Sequence, residues 1–134
     1  MFMLKLRDQR GVSMSVFACG AIMTLLIVAG LLVDGAAQVS AHERVGAAAA
    51  QVARFAMDAS APYLVDGQDG RTTALTAART AAANYTDITF GIEMDETGAL
   101  RISTKTTVRT IFLQLIGINS LTASGRATAV IYQP

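Results

Sequence analysis

Tryptophan is absent from the 134 residues, and there are only one cysteine, one histidine and two prolines. A single cysteine rules out a disulfide within the chain, and one Cys with one His makes a Cys/His metal cluster untenable. Cys19 lies inside an apolar run, where a thiol behaves as a small hydrophobe. That reading ranks ahead of lipid attachment or a redox role. Charge is scarce as well: 16% of residues are ionisable and the net charge is +1, so no nucleic-acid or acidic partner is indicated. No proline precedes Pro62, so nothing in the first sixty residues stops a helix.

Apolar residues are abundant, at 52% of the chain, and they concentrate at one end. From Gly11 to Val33 there is no charged residue. As a helix this run is about 35 Å long, enough to cross a hydrocarbon core of about 30 Å. Lys5, Arg7 and Arg10 precede it and Arg44 alone follows closely, an asymmetry that leaves the N-terminus in the cytoplasm. The rival is a cleaved signal peptide, with Gly35 and Ala37 as small residues at the cut. Both readings send the remainder of the chain across the membrane. Within the span, Ala18, Gly20, Ala21, Ala29 and Gly30 are small enough to let another helix approach closely. Gly and Ala are also simply common in membrane helices. Asp34 ends the run as a membrane-interface residue at headgroup level.

Beyond Asp34 the chain reads as α+β. Val45, Ala49, Val52 and Ala56 recur on one helical face, with Arg44, Gln51, Arg54 and Asp58 opposite and Arg54–Asp58 spaced for an i,i+4 pair. One long helix is therefore predicted from about Val12 to about Ser60. The chain divides into a basic leader (1–11), a transmembrane segment (12–34) and an extracytoplasmic domain (35–134) that contains helix 35–60. The stretch 61–70, with Pro62 and its glycine breaks, predicts a loop. Asp66 and Asp69 supply too few oxygens at the wrong spacing for calcium. A second helix is predicted over 71–85, from a stripe of Leu75, Ala78, Ala82 and Tyr85. The period then changes to two, which predicts strands at about 87–95, 99–109 and 121–132 in a three-stranded antiparallel sheet. Asp95-Glu96-Thr97-Gly98 is a hairpin turn with Gly98 in the left-handed conformation. Residues Ile111 to Ile116 are apolar without alternation and predict a short helical turn covering the sheet.

Enzymatic chemistry has no foothold in this pattern. His42 is the sole imidazole and nothing nearby completes a catalytic set. Glu93, Asp95 and Glu96 read as a solvated hairpin tip, and phosphate loops and zinc spacings are missing. The expectation is a non-enzyme without cofactor or metal, working through assembly or presentation.

Three segments together resemble the TadE/TadG-like minor pilins of tight-adherence (Flp) pilus systems. They are the opening Arg10-Gly11-Val12-Ser13-Met14-Ser15-Val16-Phe17, the Gly30-Leu31-Leu32-Val33-Asp34-Gly35 that closes the span, and the final Ile116 to Ala129. The resemblance implies a pilin-like subunit of a pilus or secretion apparatus serving adhesion. Its partners would be membrane lipid and other pilin or pilus-assembly subunits, met through the N-terminal helix. It also implies a prepilin peptidase that cuts between Gly11 and Val12. The chain departs from the pilin pattern at Val16, where pilins carry a glutamate five residues after the cut. That carboxylate would neutralise a neighbour's new amino terminus in an apolar core, where an unpaired charge is costly. The alternatives are an uncleaved membrane-anchored scaffold of the same export machine, and a tethered or secreted binding module.

Overall fold

The computed structural model describes residues 9–131. Most of the leader, with Lys5 and Arg7, lies outside the described residues, as does the end of the last expected strand at Tyr132. The first helix, α1, runs unbroken over Gln9–Val65, a 57-residue element about 85 Å long. Its sequence is rich in alanine, the strongest helix former, and no proline interrupts it for more than fifty residues.

The helix passes the boundary expected at Ser60 and includes Pro62, so the loop shrinks from 61–70 to 66–70. Pro62 sits in the last turns, where little helix remains to be disrupted. The true stop is Gly67. With φ of 70° it adopts the left-handed conformation, and its N–H donates to Leu64 while Gln68 N–H donates to Tyr63. This pair of bonds satisfies the terminal carbonyls in a Schellman cap.

Helix α2 spans Arg71–Ala82 and ends three residues earlier than its apolar stripe suggests. Tyr85 leaves the helix to stack on Phe90, with ring centroids 5.4 Å apart, and its hydroxyl donates to Gln51 Oε1 at 2.7 Å. Ala74 and Ala78 are the buried side chains of α2. Small residues there let α2 lie close on α1.

The sheet is an antiparallel meander of β1 (Thr89–Met94), β2 (Ala99–Arg109) and β3 (Ser120–Val130), in that order. Its hairpin is the one expected. Gly98 has φ of 82°, and Asp95 Oδ1 accepts from the Thr97 hydroxyl and from the Thr97 and Ala99 amides. The inner face buries Leu100, Ile102, Thr104 and Thr106 of β2 and Ala123 and Ala129 of β3. The outer face of β2 and β3 carries Arg101, Lys105, Arg109 and Arg126 in solvent.

The core forms where that inner face meets α1. Val45, Ala49, Val52 and Ala56, the face predicted from spacing, are all fully buried. The helix lies close to the sheet because one contact has no side chain between the backbones. A Cβ placed on Gly125 of β3 would fall 2.6 Å from the Gly46 nitrogen. Beside it, the Thr104 hydroxyl donates to the Val45 carbonyl at 2.8 Å in a fully buried hydrogen bond. Arg54 and Asp58 form no ion pair; both are exposed, and water solvates them at little cost. Arg44 instead reaches Asp87 in the turn before β1.

Candidate functional site

Among the described residues no group of three or more His, Cys, Asp or Glu side chains could hold a metal ion. His42 is tied to β3, its Nδ1 3.0 Å from the Ser124 carbonyl and 3.3 Å from the Ser124 nitrogen. The feature that stands apart from the folded core is the N-terminal half of α1. It is an apolar helix long enough to cross a membrane, and hardly any of it is buried in the protein. Val12, Phe17, Ile22, Leu25 and Leu32 all project outward, Phe17 with 79% of its surface exposed. An exposed apolar surface of this extent marks a lipid or protein interface.

Residues 11–29 are exposed around the whole helix. Gly11 and Val12, the implied cleavage position, therefore project free of the domain. Ala18, Ala21 and Ala29 are likewise open. Gly30 is not. It is buried beneath Phe112 of the same chain, and a Cβ on Gly30 would lie 2.5 Å from the Phe112 Cγ. The small residue expected to receive another helix receives the chain's own β2–β3 connection.

That connection is the part of the surface that the sequence did not disclose. Residues Leu113–Ile116 do form a short 3-10 turn, but the turn does not cover the sheet. The 111–118 segment instead lies along α1 as a tongue. Between them, Met23, Leu26, Ile27 and Leu31 of the helix and Phe112, Leu113, Leu115 and Ile116 of the tongue line an apolar groove of about 330 Å³. Leu115 and Ile116 remain 80% and 73% exposed.

Asp34 makes this placement possible. Its carboxylate is buried, with 2% of the residue exposed. Oδ1 accepts from Ile111 N–H at 2.9 Å, and Oδ2 accepts from Phe112 N–H at 2.9 Å and Leu113 N–H at 2.7 Å. These are the donors left unpaired at the start of a helical turn, and an anion is favoured there. At the far side Thr110 closes the loop, its N–H donating to the Asn119 carbonyl and its hydroxyl to that of Ile118. Gly117, with φ of 91°, reverses the chain back toward β3. Asp34 therefore does more than mark the end of the apolar run: it pins an element 77 residues away. The only sequence sign of this was a lone carboxylate on a small-residue stretch, paired with an apolar segment that lacks alternation. No family model, curated protein or solved structure matches the chain.

Proposed function

We propose that the chain is a structural subunit, a minor pilin or pseudopilin-like component of a tight-adherence pilus or secretion apparatus. It is anchored by a single pass, with its N-terminus cytoplasmic and its domain outside. One observation carries the reading: α1 is a single continuous helix with two unlike halves. The N-terminal half is apolar and, over residues 11–29, exposed around its whole circumference, and the C-terminal half is the spine of the α+β domain. Such a helix can rest in lipid and then exchange lipid for neighbouring helices without refolding, because the surface it buries is apolar in both settings. The domain rides on the same rigid rod and sets the spacing between subunits. On this reading the protein has no catalytic role and needs no cofactor.

Val16 favours a second arrangement, in which the chain stays uncleaved as a scaffold of the export machine. A processed subunit would have no carboxylate at that position to meet a neighbour's amino terminus in a dry bundle. Mass spectrometry of the chain isolated from its host separates the two. A mature terminus at Val12, together with recovery in sheared surface filaments, supports the pilin. A chain that retains Met1 to Gly11 and remains in the membrane fraction supports the scaffold. Release into the medium with a terminus beyond Gly35 would overturn both.

A further inference from the structure

We propose that the 111–118 tongue is a second membrane element, inserted among the acyl chains of the outer leaflet beside α1. The inference rests on the reading that α1 spans the bilayer, and four observations carry it further.

The first is depth. The tongue lines its groove with Met23, Leu26, Ile27 and Leu31. Met23 lies eleven residues before Asp34, or about 16 Å along the helix axis. A segment held against those side chains shares their surroundings, so if this stretch of α1 is in lipid the tongue is too.

The second is composition. No charged residue occurs between Arg109 and Arg126, and the tongue turns Ile111, Leu115 and Ile116 outward. Water is a poor environment for that face, while hydrocarbon suits it.

The third is the backbone. Irregular chain enters hydrocarbon only where its polar groups are already satisfied. The N–H groups of Ile111, Phe112 and Leu113 go to Asp34. Those of Leu115, Gly117 and Ile118 go to the carbonyls of Phe112, Gln114 and Leu113. These six amides of the tongue meet that condition.

The fourth is the boundary. Arg109, two residues before Ile111, is exposed at the end of β2, where a cation can meet a lipid phosphate.

The occupant of the exposed groove is thus phospholipid, and a second copy of the chain or another subunit is the competing occupant. The absence of tryptophan makes the test direct. Three full-length variants each carry one tryptophan: Leu115→Trp in the tongue, Leu25→Trp on α1 away from the groove, and Thr128→Trp on the exposed face of β3. Each is reconstituted at high dilution in phosphatidylcholine vesicles whose acyl chains are brominated at a shallow or a deep carbon. The proposal expects the tryptophan at 115 to emit to the blue and to lose most of its emission to brominated lipid. The tryptophan at 25 should respond chiefly to deep bromines, and the one at 128 to neither. If residue 25 is quenched and residue 115 is not, the tongue lies outside lipid and its face belongs to a protein partner; the proposal then falls while the spanning helix stands. If neither is quenched, the spanning reading falls and the tongue proposal with it.

Discussion

Two glycines face each other where α1 crosses the sheet, and only one of them is required to be glycine. A methyl group on Gly125 would sit 2.6 Å from the Gly46 nitrogen, 2.7 Å from the Gly46 Cα and 2.8 Å from the Thr104 hydroxyl oxygen. Ordinary contacts of a Cβ fall between 3.4 and 4 Å, so relief needs a separation of nearly an ångström. Two of the three obstacles are helix backbone, so no rotamer change relieves them. The helix must lift, and Val45, Ala49 and Val52, all buried against the sheet, lift with it. Overpacking of this kind costs about 1–3 kcal/mol. Stretching the buried Thr104–Val45 hydrogen bond adds roughly 1 kcal/mol. Gly125→Ala is therefore expected to destabilise the domain by about 2–4 kcal/mol. Gly46→Ala is the contrasting case. A Cβ there meets nothing within 4 Å, and the substitution gains helix propensity of up to about 1 kcal/mol. Urea unfolding of the full chain in detergent, followed by tyrosine fluorescence, measures both against the parent. Equal stability of Gly125→Ala and the parent would refute the close-approach argument. So would a loss of stability in Gly46→Ala as large as that in Gly125→Ala.

Two further expectations concern carboxylates. Asp34→Ala removes the acceptor for three consecutive amides, so Ile111, Phe112 and Leu113 should lose hydrogen-exchange protection while the sheet amides keep theirs; unchanged protection at those three would dismiss Asp34 as the pin. The Thr97 hydroxyl, followed by the Ala99 amide, holds the Asp95 carboxyl below its ordinary value of 3.8 against an opposing effect of burial, with the Thr97 amide and Arg101 adding to the lowering. Because the folded value is the lower one, the hairpin's stabilisation by Asp95 is complete above the unfolded value and is lost as pH falls through the folded one. Amide shifts of Gly98 and Ala99 should follow that acid titration, and Asp95→Asn should abolish it; a titration that survives the substitution would point to another group.

The local elements were largely visible in the chain itself. Spacing alone marked the buried face of α1 at Val45, Ala49, Val52 and Ala56, because helix periodicity repeats every few residues and solvent exclusion imprints it directly. Alternation marked β2 to the residue, and the Asp95–Gly98 turn followed from what glycine permits. Helix ends were less legible. Pro62 reads as a breaker in isolation, yet the Schellman cap at Gly67 governs where the backbone can stop. Tyr85 has helical spacing, yet a stacking partner in β1 draws it out of α2.

The candidate surface divides along the same line. An uncharged stretch from Gly11 to Val33 declares itself without any fold, since hydropathy is a property of composition and the length of a helix follows from residue count. The position of the tongue does not. Asp34 and Ile111 are 77 residues apart, and no periodicity relates them. Only when the sheet docks on α1 do the ends of β2 and β3 arrive beside Asp34, and only then do three unpaired amides find a carboxylate. Gly30 is occupied from within the chain for the same reason: what lies against it depends on a contact that exists in three dimensions alone.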